Sequence, residues 1–280
     1  MYDFFEAMGM DSDLACERRR ADTSLRGVIY KRETTVAGDW ERIKITDAEG
    51  EKSIGRPIGS YDTLSLDRMD LLSAEEVDDA VEEVARELCR LFDARSILPS
   101  RILVIGLGNR ELTSDSVGPR TAELVNATMQ IKEYDPRTFS MLECSEIAVL
   151  SSGVSADSGI DSALLIGGVC DMIHPDAVIA IDSLAARSEK RLGRTIQLSD
   201  TGIFPGSGIG NPRGAVTEKT VGAPVIAIGV PTVIDARLFC SEGRLRGEAM
   251  FVSPKEINGI VRSAARIISG GINQAFGITV

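Results

Sequence analysis

The chain has 280 residues, 43% of them hydrophobic, with 42 acidic against 31 basic side chains and a formal net charge of -11. That size and apolar content are enough for one large α/β domain or two small ones, and the acidic balance argues against a general nucleic-acid binder, which needs a basic face to neutralise phosphates. Five scattered cysteines without a CxxC pair argue against a disulfide framework and point to reduced thiols in a cytoplasmic compartment.

Residues 1–25 are charged and irregular, carry the cluster Arg18-Arg19-Arg20, and read as a poorly packed N-terminal arm. Met1 to Met8 is acidic and lacks the basic start of a secretory signal. No segment approaches the roughly 18 uninterrupted apolar residues of a membrane span. Val28–Glu33 and Trp40–Thr46 have strand composition, and Ala37-Gly38-Asp39 between them reads as a hairpin turn. Glu51 to Leu66, with its glycines and a proline, reads as an irregular connection.

Ser73-Ala-Glu-Glu76 is a capping box, and the helix it opens places Val77, Val81, Val84, Leu88 and Leu91 on one face. From Ile102 onward the rhythm is strand, loop, helix. Strands are predicted at 102–106, 144–150, 177–182, 195–198 and 224–230, and helices at 116–131, 160–173 and 254–275. Ser253-Pro-Lys-Glu256 supplies the last helix with a hydroxyl cap, a proline in the first turn and a glutamate at the third position. The alternation implies an α/β fold, a mostly parallel sheet with helices on both faces. Residues 199–214 are too glycine-rich for a regular element, and a long irregular loop in a compact domain is usually functional or mobile.

Gly106-Leu-Gly-Asn109 follows a strand and precedes a helix, as a dinucleotide fingerprint would. The third glycine of that fingerprint is replaced by Glu111, whose charge opposes a pyrophosphate there. The glycines instead let the chain turn sharply off the strand.

Asp115 and Asp182 each lie at or just beyond the end of an apolar run. In an open parallel sheet, the carboxyl ends of the strands form the ligand crevice. Two carboxylates facing each other there can share a proton and activate water. The plain reading of Asp115 is a cap for a helix starting near Ser116. A carboxylate ending a run like that before Asp182 carries a desolvation cost unless paired. His174, the single histidine, precedes Pro175 at a helix end, where a positive charge suits the dipole. With one histidine and no cysteine pair, a zinc site would need mostly carboxylates, and no GxSxG elbow surrounds a serine. Cys144, Cys170 and Cys240 sit in apolar contexts and read as core residues.

Several long segments carry a resemblance. They are Gly106-Leu-Gly-Asn109 with Thr113-Ser-Asp115-Ser-Val-Gly-Pro119, Val178-Ile-Ala-Ile-Asp182-Ser-Leu-Ala-Ala-Arg187-Ser188, and Ile196-Gln-Leu-Ser-Asp-Thr-Gly-Ile203. Pro205-Gly-Ser-Gly-Ile-Gly-Asn211, Pro224 to Val233, Phe251 to Ile257 and Gly55 to Tyr61 continue it. The chain resembles the germination protease of spore-forming bacteria, which degrades small acid-soluble spore proteins, the DNA-coating proteins of the dormant spore.

The resemblance implies an aspartic-type endopeptidase whose two critical aspartates fall on Asp115 and Asp182. The implied fold is that of the hydrogenase-maturation proteases (phosphorylase/hydrolase-like). It also implies a self-processing zymogen, a homotetramer, and residence in the cytoplasm of the forespore and spore core. No cofactor or metal, no direct nucleic-acid contact and no membrane are expected. Ser12-Asp13-Leu14-Ala15-Cys16-Glu17 is similar to the acidic-apolar-Ala-x-Glu site cut in the substrates. Self-cleavage is therefore placed between Asp13 and Leu14, with 1–13 a propeptide and 14–280 one peptidase domain. Phe204 stands where many members have a histidine.

Asn109 and main-chain N–H groups of the 199–214 loop, at Gly206 and Gly208, are candidates for stabilising the developing oxyanion. Arg187 and Arg213 are candidates for a cationic pocket that receives an acidic substrate residue. The alternatives are a metal-dependent peptidase of the hydrogenase-maturation type, an inactive binding module for the same spore proteins, and a nucleotide-binding α/β protein.

Overall fold

Strict alternation in strand β4 (Arg101–Leu107) sends Ile102 and Val104 to one side of a sheet and Leu103, Ile105 and Leu107 to the other. Strand β6 (Ala177–Ala186) does the same with Ile179 and Ile181 against Val178, Ala180, Leu184 and Ala186. A sheet apolar on both faces needs helices on both, and the computed structural model has them. It describes residues 12–18, 25–204, 214–239 and 250–278.

The remaining strands are β1 (Val28–Thr34), β2 (Asp39–Ile45), β3 (Gly59–Ser65), β5 (Glu146–Gly153), β7 (Thr195–Ser199), β8 (Val225–Asp235) and β9 (Phe251–Val252). They form one sheet in the order β1-β2-β3-β7-β8-β6-β4-β5, with β9 against β8. Strands β8, β6, β4 and β5 are parallel, and β1, β2, β3 and β7 run antiparallel through to β8.

The helices are α1 (Ala15–Arg18), α2 (Ala48–Ile54), α3 (Ala74–Ala94), α4 (Val117–Ala122), α5 (Met129–Tyr134), α6 (Pro136–Leu142), α7 (Ser155–Ser158), α8 (Ser162–Ile173), α9 (Glu218–Val221) and α10 (Ile257–Ala275). On one face α3 and α10 pack Leu88, Leu91, Ile260, Ile267 and Ile272 onto the sheet, beside Val117 of α4. On the other, α8 contributes Ala163, Ile166 and Cys170, and α9 contributes Val221. Each of the larger side chains, fully buried, contributes about 1.5–3 kcal/mol. Among the described residues no helix is long and apolar enough to cross a membrane.

The α/β class, the hairpin at Gly38 and the capping box at Ser73 are found as expected. Parallel order, however, is confined to β8, β6, β4 and β5; β7, expected within the same rhythm, runs antiparallel to β8. The antiparallel half includes β3, in the stretch expected to be irregular. The helix expected over 116–131 runs only to Ala122. Beyond it Asn126 N–H donates to the side chain of Asn273 at 3.0 Å instead of continuing the helical ladder. The last helix begins at Ile257, with Glu256 rather than Ser253 in the cap position. Cys170 is buried as expected, Cys144 is only half-buried, and Cys240 lies outside the described residues.

Candidate active site

The turn after β4 is built on close backbone approach. A Cβ on Gly108 would fall 2.1 Å from the Asp115 carbonyl, and one on Gly118 would fall 2.2 Å from the Leu107 carbonyl and 2.4 Å from that of Ile181. Only glycine fits at both positions, and Gly108 also holds φ at +110°. The turn is pinned from β8 by Thr232, whose hydroxyl donates to Ser114 O at 2.6 Å.

Asp115 therefore projects from a one-turn helix (Thr113–Asp115) that lies against β6, β8 and the last helix. It does not cap α4, where Ser116 stands in the cap position without a side-chain capping bond. Its Oδ2 instead accepts the Asn109 N–H at 2.9 Å. Asn109, expected as an oxyanion donor, spends its main-chain N–H on Asp115 and accepts the Glu111 N–H through its side-chain oxygen at 2.8 Å.

Asp182 is 4% exposed and its Oδ1 accepts the N–H of Ser183 at 2.8 Å. It does not end its strand, because β6 runs on to Ala186 beside the extended β8. It is, however, the first residue of β6 beyond the pairing with β4, which closes at Gly106–Ile181. Both aspartates thus belong to the same end of the parallel strands. Asp182 stands opposite Gly229 of β8, which stands opposite Gln197 of β7. The three form one cross-sheet row, Gln197 and Asp182 being two strand spacings, about 10 Å, apart along the backbone. The tip of Leu184 covers Gly229 between them.

Residues 12–18 lie on this face of the sheet, as a docked segment and not the loose arm expected. Leu14 and Ala15 are fully buried, Leu14 with the α8-side core and Ala15 among Ile43, Ile45, Ile54 and Tyr61. Asp13 pairs along β6: its N–H donates to Ala185 O at 3.1 Å and its Oδ2 accepts the Ala185 N–H at 2.9 Å. Gln197 donates through Nε2 to Asp13 O at 3.2 Å and accepts the Ala15 N–H through Oε1 at 2.8 Å. Arg56 reaches Ser12 O at 2.8 Å and Asp13 Oδ1 at 3.4 Å. Glu17 closes the segment, accepting the N–H of Arg187 at 2.7 Å and of Ser188 at 2.8 Å, and bonding the Ser12 hydroxyl. Burial pushes the Glu17 carboxyl above its ordinary range, against these three donors. It also pushes the Cys16 thiol up to about 11, so that group is no thiolate nucleophile at neutral pH.

A recess of about 30 Å³ opens beside Asp13, lined by Arg56, Tyr61, Leu184, Gln197 and Gly229 among others. That volume holds a water molecule. Among the described residues no group of three or more His, Cys, Asp or Glu side chains could hold a metal ion.

The family model described as germination protease matches residues 5–243, a span that contains Asp13, Asp115 and Asp182. The chain belongs to this family. A germination protease of Caldanaerobacter subterraneus subsp. tengcongensis is 35% identical over 310 residues, covering 96% of this chain and 94% of the relative. One from Clostridium perfringens is 32% identical, covering 94% of each. One from Oceanobacillus iheyensis is 39% identical over 79% of this chain and 60% of its own length. Among solved structures, the [NiFe] hydrogenase maturation protease HycI from Thermococcus kodakarensis KOD1 matches with a TM-score of 0.35 and 17% identity, covering 67% of this chain and 99% of that one.

In this member of the germination protease family, the predicted site residues divide into three groups. Asp115 and Asp182 come to one end of the sheet, with Asn109 bonded to Asp115. Asp13 and Leu14 dock along β6, and Arg187 meets that segment through its main chain. Gly206, Gly208 and Arg213 lie outside the described residues. The guanidinium beside Asp13 belongs to Arg56, which sequence reasoning passed over although it stands inside Gly55-Arg-Pro-Ile-Gly-Ser-Tyr61. Gln197 was likewise missed. Its signal was a polar residue on the buried alternation of Thr195-Ile-Gln-Leu-Ser199.

Proposed function

We propose that the chain is an endopeptidase that starts the breakdown of small acid-soluble spore proteins during germination, made as a zymogen that shortens itself. Residues 1–13 are the propeptide and 14–280 the single peptidase domain. Asp115 and Asp182 share the chemistry. One, ionised, takes a proton from water as the water oxygen adds to the scissile carbonyl carbon. The other, protonated, polarises that carbonyl and gives its proton to the departing amine, so the pair ends with the one proton it began with. The two titrate as a unit, and neither is assigned one role. The enzyme is a homotetramer of the spore core.

The observation that supports this reading best is the seating of Ser12–Glu17 in the manner of a bound substrate. Its Asp13 carbonyl is hydrogen-bonded by Gln197, in the same cross-sheet row as Asp182. The acidic residues at both ends of the segment are received by donors, Arg56 and Ala185 N–H at Asp13, and the Arg187 and Ser188 N–H groups at Glu17.

The test is incubation of the full chain at mildly acidic pH, with and without a chelator, followed by intact-mass spectrometry. Loss of residues 1–13 in both samples supports the reading. An unshortened chain that cuts added peptide rules out the self-cleavage, and loss of activity on chelation, restored by a divalent ion, favours a metal-dependent peptidase.

A further inference from the structure

The carboxamide of Gln197 touches both sides of the Asp13–Leu14 peptide bond. Nε2 donates to the carbonyl oxygen of Asp13, and Oε1 accepts the N–H of Ala15, in the amide that follows. Gln197 is buried, comes from the central strand β7, and has Thr63 of β3 on one side and Gly229 of β8 on the other. Gly229 has no side chain, and the tip of Leu184 packs over it instead. The recess there has room for a water next to the held bond.

We infer that Gln197 is the oxyanion donor of the peptidase, bracketing the bond to be cut by its Nε2 at the carbonyl oxygen and its Oε1 at the following amide. The inference rests on the peptidase reading above and assigns the role to a side chain of β7 in place of Asn109, whose main-chain N–H is committed to Asp115. When water adds to the Asp13 carbonyl carbon, the carbonyl oxygen gains negative charge. A donor already aimed at that oxygen lowers the barrier because it need not reorganise. The second bond, to Ala15, fixes the amide plane of Gln197 so that nitrogen and not oxygen meets the carbonyl. Leu198 and Ile196 on the opposite face of the strand lock β7 into the core and leave the carboxamide little freedom.

The chemistry separates this role from mere packing. A glutamate at 197 has nearly the same shape and still accepts the Ala15 N–H, but it donates to the carbonyl only when protonated. The experiment measures the first-order rate of self-shortening of the full chain between pH 5 and 7.5 for wild type, Gln197→Leu and Gln197→Glu, each checked by thermal melting. Gln197→Leu is expected to be slower by about 100-fold or more at every pH, the usual loss for one oxyanion donor. Gln197→Glu is expected to lose as much at pH 7.5 and to regain about 10-fold or more relative to wild type by pH 5, following the protonation of the new carboxyl. A Leu variant within about 3-fold of wild type, or a Glu variant whose ratio to wild type is flat with pH, overturns the inference.

A wild-type chain that never shortens defeats the peptidase reading instead. The bracket itself is then read by hydrogen exchange at the Ala15 amide. Protection lost by about 10-fold or more in Gln197→Leu upholds the bracket, and unchanged protection removes it.

Discussion

Glu17 Oε2 accepts the main-chain N–H of Arg187 at 2.7 Å, joining residues 170 positions apart. With the Ser188 N–H on its other oxygen, the carboxylate is held by two parallel main-chain donors just beyond the end of β6. The end of the docked segment is thus received by backbone, and the receiving geometry is fixed by the strand and not by a flexible side chain.

Glu17→Gln replaces one of those acceptor oxygens by an NH2 group that faces an N–H donor. A charge-assisted bond is lost and a donor is left unsatisfied, together costing about 1–3 kcal/mol of docking. Hydrogen exchange of the amides of residues 13–17 should speed up by about 10-fold or more in this variant, while the core strands stay protected. Unchanged exchange would show that Leu14 and Gln197 hold the segment alone.

Gly118→Ala should damage the site from a distance. Its methyl would fall 2.2 Å from Leu107 O and 2.4 Å from Ile181 O, both main-chain atoms in central strands. Nothing there can move cheaply, so α4 and the turn bearing Asp115 must shift. A loss of about 2–3 kcal/mol is expected, read as a lowered midpoint in urea, together with slower peptide cleavage. A variant as stable and as active as wild type would contradict the described packing.

Stability should fall as pH rises from about 4 to about 8. Asp62 of β3 and Glu87 of α3 are buried side by side; Asp62 pairs with the exposed Arg90, and Glu87 with Arg90 and the half-buried Arg42. Burial first, and the neighbouring Glu87 second, push the Asp62 carboxyl up to about 8, from the ordinary value near 3.9 in an unfolded chain. The folded state therefore binds a proton that the unfolded state has released. This contribution is fully present below about pH 4 and is lost as pH rises through about 8, with a slope of up to about 1.4 kcal/mol per pH unit for one proton. Denaturant midpoints measured from pH 5 to 8.5 should show the decline, and Asp62→Asn should flatten it. A wild-type profile already flat over that window would rule out a proton held by Asp62 in the folded state.

Much of this architecture is legible from local pattern. Ser73 and Glu76 announce their helix because both partners of the capping box lie within four residues, and the bonds form as the spacing predicts. The apolar run before Asp182 is buried on both faces, so its strand is unmistakable. What escapes is what depends on distant partners. Strand β3 hides because Asp62 and Thr63 are polar yet buried, made tolerable for Asp62 by arginines from β2 and α3. The segment around Leu14 looks like a charged arm because its acceptors and donors, Gln197 of β7, Ala185 of β6 and Arg187 just beyond β6, come 170 and more residues later. Asp115 is a natural cap by its place before α4, but its carboxylate turns back to Asn109 because Gly108 brings the two backbones together.

The most direct test of the acid-pair mechanism is the cleavage rate of a peptide of the Glu-Phe-Ala-Ser-Glu type by the self-shortened protein and by its Asp115→Asn and Asp182→Asn variants, all confirmed as folded. Each substitution alone removes a proton-transfer group, and each should slow cleavage by at least about 1,000-fold. If both asparagine variants cut the peptide at rates near wild type, the side chains at 115 and 182 are not the water-activating pair.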